Sequence, residues 1–292
     1  MGYRHISAFS MELQTKNFFV KRGQICEKKN SEYKRIDPLA ISEKQQGAYI
    51  QFINIDCCDN KQIGAFCNEY GLLSNHDIRY GRKYRGEIQE LLFKMSIDDF
   101  VAEVKKFRLI VEFYCNLATI IPDLKDIKQQ ILIFEQNILE LRKASVYNSI
   151  HFDFIISEKD PIRLIDPMDE PETISEEELL CELATIGDNT KINEYLKAIV
   201  KRHIRNYTNK IHINIDGEVQ KTSETKTNAI SLKGDLLSAM YFRFYLDIIN
   251  DVPLKKCKDP NCKNIFAAYK RDDKLYCSAR CCKNHGMREK RK

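Results

Sequence analysis

Apolar residues recur at helical spacing along most of the chain, and this pattern predicts a mainly helical fold. The apolar positions between residues 63 and 70 predict a short helix that ends at Gly71. Ser96 followed by Asp99 has the spacing of an N-terminal cap, and it predicts a long helix that stops before Pro122. Further helices are predicted over Leu124 to Lys143, Ser175 to Gly187, Ile192 to Tyr207 and Ser231 to Pro253.

Alternating patterns are rare, and they predict only a small β element. The segment from His151 to Ile156 alternates weakly and is predicted as a strand. Ile211 to Ile215 alternates up to the turn dipeptide Asp216-Gly217, which predicts a hairpin that resumes at Glu218. Residues 1–44 show no clear periodicity and form an unassigned lead segment. The predicted fold class is therefore a mainly α domain with a small β-hairpin element over residues 45–252.

The composition is that of a folded, non-membrane protein. The chain has 292 residues, of which 43% are hydrophobic and 30% charged, enough for one large domain or two smaller ones. The most apolar stretch, residues 107–121, is too short and too interrupted by charge to cross a bilayer. The first residues lack the apolar region of a secretory signal, so we expect a cytoplasmic protein.

Charge is unevenly distributed along the chain. The net charge of +5 combines +9 in residues 255–292, from 13 Lys and Arg against 4 Asp and Glu, with −4 in the remaining 254 residues. A basic tail on an acidic body favours a polyanionic partner, with nucleic acid as the usual candidate. A tail that only improves solubility is the alternative.

Five of the 11 cysteines are clustered in this basic tail. In a reducing compartment such cysteines are thiols or metal ligands rather than disulfides. Two pairs separated by a short loop can supply the four soft ligands of a structural Zn²⁺ site. The predicted ligands of one zinc ion are Cys257, Cys262 and Cys277 with either Cys281 or Cys282.

Alternatives to this ligand set remain open. Cys281 and Cys282 point about 100° apart on a helix, so only one of them can face the metal. His285 lies four residues after Cys281, on the same helical face, and offers a competing ligand pair. Free thiols and an iron–sulfur cluster are further alternatives, although these spacings do not match the common ferredoxin patterns. Phe266, Tyr269 and Tyr276 are expected to pack around the site.

The residues of the tail resemble a known zinc finger. Cys257-Lys-Asp-Pro-Asn-Cys262 and the later segment Cys277 to His285 are similar to the C-terminal CGNR-type finger of putative stress-induced bacterial transcription regulators. The segment Phe52 to Leu73 is more weakly similar to the helical ABATE domain that precedes this finger. The resemblance implies a treble-clef or ribbon-like finger over residues 253–292, after an ABATE-like domain over 45–252. It also implies that Cys257, Cys262, Cys277 and Cys282 are the four zinc ligands. Lys283 and His285 stand where the family has Gly and Arg.

The sequence therefore predicts a zinc-binding protein whose basic finger contacts nucleic acid, DNA rather than RNA, as a transcription regulator. In the alternative, the finger is a structural or protein-interaction module and the helical body binds a small effector or a protein partner. No catalytic site is expected, because the nucleotide-binding, metalloprotease and nucleophile-elbow motifs are absent. The predicted nucleic-acid contacts are Lys255, Lys256, Lys258, Lys263, Lys270, Arg271, Arg280, Lys283, Asn284, His285, Arg288, Lys290 and Arg291.

Overall fold

A computed structural model describes most of the chain. The described residues are 9–11, 13–15, 17–28, 32–40, 47–73, 94–117, 124–144, 189–208, 211–215, 230–269 and 273–289. The predicted strand at 151–156 and the predicted helix at 175–187 lie outside them.

Helices dominate the described part of the chain, as the apolar periodicity predicts. Its seven helices are α1 (Gly47–Ile53), α2 (Asn60–Tyr70), α3 (Ile97–Leu117), α4 (Leu124–Ala144), α5 (Asn189–Thr208), α6 (Leu236–Ile249) and α7 (Ala279–Glu289). None of these helices combines the length and the apolar character that crossing a membrane requires.

Ten short strands accompany the helices in the described residues. They are β1 (Phe9–Met11), β2 (Leu13–Thr15), β3 (Phe18–Lys21), β4 (Gln24–Glu27), β5 (Lys34–Ile36), β6 (Lys94–Ser96), β7 (His212–Ile215), β8 (Ile230–Lys233), β9 (Leu254–Lys256) and β10 (Ile265–Ala267). They form small sheets in the orders β1-β8-β7, β3-β4-β6, β2-β5 and β9-β10. Only the β1–β8 pair among these is parallel.

The caps of α2 and α3 agree with the sequence pattern. The Asp59 carboxylate accepts a hydrogen bond from the Lys61 amide at the start of α2, and Ser96 accepts one from the Asp98 amide at the start of α3. Gly71 ends α2 with a φ of 93°. A Cβ there would lie 2.5 Å from the Thr15 hydroxyl oxygen, so glycine is required both by the backbone and by the packing.

The start of α6 differs from the prediction. Ser231 belongs to strand β8, where it pairs with Asn214 and Ser10, and it does not cap the helix. The cap is Asp235, whose carboxylate accepts a hydrogen bond from the Ser238 amide at 2.7 Å. The hairpin predicted after Ile215 is not tested, because its second strand, from Glu218, lies outside the described residues. Among the described residues, β7 pairs with β8.

The chain divides into two compact units, one made of residues 1–100 and 204–292 and the other of residues 101–203. In the first unit, Phe52 packs against Phe66 and Phe100 with ring centroids 5.3 and 5.4 Å apart. In the second unit, Phe113 of α3 stacks on Phe134 of α4 with ring centroids 4.1 Å apart. The division into a lead segment, a helical domain and a finger, at residues 44 and 252, stays a prediction.

Candidate metal centre

The cysteine-rich tail folds as a β-hairpin followed by a helix. β9 and β10 pair antiparallel, with Phe266 opposite Lys255, and the first two cysteines of the motif lie in the turn between them. Asp259 and Pro260 start a tight turn in which the Cys262 amide donates to the Asp259 carbonyl at 2.8 Å. The Asp259 carboxylate also accepts from the Asn261 amide, so the spacing between Cys257 and Cys262 is set by local turn chemistry.

The second cysteine pair is positioned by the start of α7. The Ser278 hydroxyl accepts a hydrogen bond from the Cys281 amide at 3.3 Å, and its carbonyl accepts from the Cys282 amide. This cap sets the rotation of the first helical turn. Cys277 precedes the cap and Cys281 follows it by three residues, so both face the hairpin turn.

Four sulfur atoms meet where these two segments approach each other. The Sγ atoms of Cys257, Cys262, Cys277 and Cys281 all lie within 4.8 Å of one another. The Sγ of Cys277 is 3.6 Å from the Sγ of Cys262 and equally far from that of Cys281. A tetrahedral site with Zn–S bonds of about 2.3 Å requires sulfur atoms about 3.8 Å apart. A disulfide requires about 2 Å. The group is therefore spaced to hold one metal ion.

The structure differs from the expected set of four at one position. Cys281 joins the cluster, and Cys282, the ligand that the resemblance implied, is exposed. The physical reason is helix geometry: adjacent side chains point about 100° apart, so when Cys281 faces the cluster Cys282 is directed to solvent. None of the ten cysteines in the described part of the chain is in a disulfide.

The surroundings of the cluster are apolar on one side. Phe266 is fully buried and packs with Cys257 and Ala268, while Tyr276 and the other three sulfurs pack against them. Phe266 and Tyr276 thus take the packing role expected from the sequence. Tyr269 turns away instead, and its hydroxyl donates to Asp247 of α6 at 2.7 Å.

Burial raises the pKa of the Cys277 and Cys262 thiols, whereas a hydrogen bond from Ser278 lowers the pKa of Cys281. Four thiols at this spacing cannot all ionise without a nearby cation, because each new thiolate would repel the others. A bound divalent ion would supply that positive charge. The donor set and its spacing are therefore suited to holding a metal ion.

His285 does not belong to the sulfur cluster. Its Nδ1 lies 3.1 Å from the hydroxyl of Tyr276, and the two rings are 5.6 Å apart between centroids. The competing pair of Cys281 and His285 is thus not brought together as ligands among the described residues.

Arg288 is engaged within the finger. Its guanidinium donates to the Asp259 carboxylate at 2.6 Å, and this contact lowers the pKa of Asp259 against the opposing effect of burial. The ion pair ties the end of α7 back to the hairpin turn. Neither Asp259 nor Ser278 stood out in the sequence, although the Asp-Pro dipeptide and a serine directly before a helix are recognisable signals.

The remaining predicted nucleic-acid residues differ in exposure. Lys255, Asn284 and His285 are partly buried, while Lys270, Arg271, Lys290 and Arg291 lie outside the described residues. Exposed basic side chains remain at Lys256, Lys258, Lys263, Arg280 and Lys283.

The hairpin is fastened to the helical core of its own unit. The side-chain amide of Asn54, just after α1, donates to the Ile265 carbonyl at 2.7 Å and accepts from the Ile265 amide at 2.9 Å. Asp247 of α6 accepts from Tyr269, from Tyr49 of α1 and from Arg243. These contacts join residues up to 211 positions apart, and no local sequence signal could have found them.

When the chain is compared with protein-family models, with curated proteins and with solved structures, no match is found. The likeness of the tail to CGNR-type fingers thus remains a prediction carried by the motif residues alone.

Proposed function

We propose that this protein is a zinc-dependent DNA-binding protein that acts as a transcription regulator, with the finger as its DNA-binding part. The observation that carries this proposal is the position of the exposed cations relative to the sulfur cluster. Lys256 and Lys258 flank Cys257, Lys263 follows Cys262, and Arg280 precedes Cys281. Residues that are distant in sequence are thereby brought close to one sulfur cluster.

The spacing of the sulfurs limits the size of this basic patch. The Sγ atoms are at most 4.8 Å apart. Consecutive Cα atoms are 3.8 Å apart. The Sγ separation, the two cysteine side chains and one Cα step on each side together place the Cα atoms of two residues that flank different cysteines within about 18 Å of each other. Duplex DNA carries one negative charge per roughly 1.7 Å of helix axis, so a patch of this size faces several phosphates. Holding the metal would assemble the surface that attracts DNA.

Charge balance argues that the cations do more than neutralise the metal site. Zinc with four thiolates carries a net charge of about −2. Five exposed Lys and Arg side chains surround or follow the cysteines among the described residues, and Asp259 is already paired with Arg288. The exposed positive charges therefore outnumber the negative charge of the metal site.

The test is a titration of labelled duplex DNA with the full-length protein at several salt concentrations. One zinc per chain and a slope of log affinity against log salt near −4.5 are expected if all five cations meet phosphates. A chelator should abolish this binding, and added zinc should restore it. A fully zinc-loaded protein that does not bind DNA at about 50 mM salt would refute the proposal.

A second candidate function is favoured by the way the hairpin is anchored. Asn54 and Asp247 hold residues 265 and 269 against α1 and α6, which is expected if the finger mainly stabilises the helical unit or presents it to a protein partner. In that case metal removal would weaken the fold, while DNA affinity would be low and independent of the metal. The same titration with and without chelator separates the two functions.

A further inference from the structure

Helix α7 has two unlike faces. Cys281, His285 and Arg288 lie on the inner face, and each has a partner within the finger: the sulfur cluster, Tyr276 and Asp259 respectively. At 100° per residue these three positions fall within a sector of about 60°. The three side chains on the inner face of α7 are therefore all engaged in contacts inside the finger.

The outer face of α7 has no such partners in the described residues. Its side chains are exposed, and a Cβ added at Gly286 would meet no atom within 4 Å. No acidic residue occurs from position 279 to 288. The outer face consists of Ala279, Arg280, Cys282, Lys283, Gly286 and Met287.

We propose that this outer face of α7 is the surface that contacts double-stranded DNA, which rests on the DNA-binding function proposed above. Arg280 and Lys283 supply positive charge, and no acidic residue stands within one helical turn of either in the sequence. The small residues Ala279 and Gly286 keep the helix slim, and a helix of about 10–12 Å diameter matches the roughly 12 Å width of the major groove. The positive end of the helix dipole, at Ser278, adds to the attraction for phosphate.

A protein partner fits this face less well. Protein interfaces bury a cluster of apolar or aromatic residues, and lysine is depleted from their centres. Met287, 43% exposed, is the only large apolar side chain on the outer face of α7 within the described residues. The face therefore has the charge for a polyanion but not the apolar area for a protein.

Cys282 provides a direct probe of this face. Its thiol is exposed and lies outside the sulfur cluster, and Cys58, in the turn before α2, is an exposed thiol elsewhere in the chain. The zinc-loaded full-length protein is alkylated with iodoacetamide, with and without duplex DNA, and the rate at each cysteine is followed by peptide mass spectrometry. At a DNA concentration ten times the Kd, the rate at Cys282 should fall by up to about tenfold. The rate at Cys58 should not change.

Charge variants give an independent measurement. Arg280→Ala and Lys283→Ala should each reduce the magnitude of the salt slope by about 0.9, since each would remove one phosphate contact. Lys61→Ala, an exposed lysine on α2, is the matched control for loss of one charge and should leave the slope unchanged.

The outcomes distinguish this inference from the function on which it rests. If DNA binds with zinc dependence while Cys282 alkylates at its free rate and Lys283→Ala binds like wild type, the assignment of this face is wrong and the function stands. If single-stranded RNA but not duplex DNA protects Cys282, the choice of partner is wrong. If the zinc-loaded protein binds no DNA, both the function and the inference fail.

Discussion

Two adjacent cysteines stand in the first turn of α7, and the helix can direct only one of them toward the hairpin. Both spacings, x3 and x4 after Cys277, are compatible with a zinc finger, so the linear pattern alone leaves the choice open. In the structure, the Ser278 hydroxyl caps the helix through the Cys281 amide. The helix that begins after this cap places the sulfur of Cys281, and not that of Cys282, in the cluster.

Replacing each of these two cysteines by serine tests the assignment. Cys281→Ser should lower zinc affinity by more than the 10–100-fold that loss of a supporting residue around a metal typically costs, because it removes a ligand itself. Cys282→Ser is the matched control and should retain one zinc per chain. Metal content measured after dialysis against a weak chelator would contradict the assignment if Cys282→Ser lost the ion and Cys281→Ser kept it.

At the level of elements, the second unit contains a half-buried polar contact between two helices. Glu135 of α4 accepts hydrogen bonds from Arg202 at 2.6 Å and from the Nε2 of His203 at 2.9 Å, both on α5. His203 lies on the inward face of α5 that the apolar periodicity predicts, edge-on to the ring of Phe134. Burial opposes ionisation of Glu135, but the interactions with His203 and Arg202 outweigh it and lower the pKa of Glu135 from its ordinary value of 4.5.

This lowered pKa predicts a pH-dependent contribution to stability. A carboxyl group with a lower pKa in the folded state stabilises the protein above its ordinary value of 4.5, and the contribution is lost as the pH falls below that value. Glu135→Gln should therefore cost about 2 kcal/mol at pH 7 and less as the pH falls below 4.5. Urea unfolding of the wild type and of Glu135→Gln measures the difference in their free energies of unfolding at each pH. Any effect of acid on the finger is the same in both proteins and cancels in this difference. A cost that stays the same down to pH 3 would contradict this role.

The elements that the sequence predicts well are those with local signals. α2, α3, α4 and α5 follow from apolar periodicity with caps such as Ser96, and the structure confirms each of them. The strands of the first 36 residues were missed because they are three or four residues long, too short to show alternation. The pattern predicts a helix at Ser231, whereas β8 is a strand that pairs with β7 on one side and with β1, about 220 positions earlier, on the other.

The candidate metal centre was predictable to the same extent and for the same reason. Cysteine spacing is a local signal, and it identified Cys257, Cys262 and Cys277 correctly as members of the cluster. The anchoring of the hairpin by Asn54 is not local, because an asparagine in the apolar segment Phe52 to Ile55 does not indicate which backbone it will meet. Long-range contacts of this kind decide how the finger is held, and they need the tertiary structure.

At the scale of the whole molecule, the metal centre is linked to the helical core of its own unit through a buried carboxylate. Asp247 is fully buried, and burial raises its pKa while Arg243 and the hydroxyls of Tyr49 and Tyr269 oppose that effect. Tyr269 follows β10, whose Phe266 packs against the cysteines. Loss of the metal would loosen the hairpin and take one donor from Asp247, which leaves a buried carboxylate less well satisfied.

We therefore expect that metal removal destabilises residues outside the finger, in α6. Loss of one hydrogen bond to a buried charged group costs about 2 kcal/mol, which corresponds to about thirtyfold faster hydrogen exchange in α6 after chelation. Peptides from α4, in the other unit, are the internal control and should exchange at an unchanged rate. In Tyr269→Phe the hydroxyl is already absent, so chelation should accelerate exchange in α6 much less than in the wild type. If chelation accelerates exchange only within residues 257–289, the finger is energetically separate from α6, and Tyr269 does not transmit the state of the metal centre.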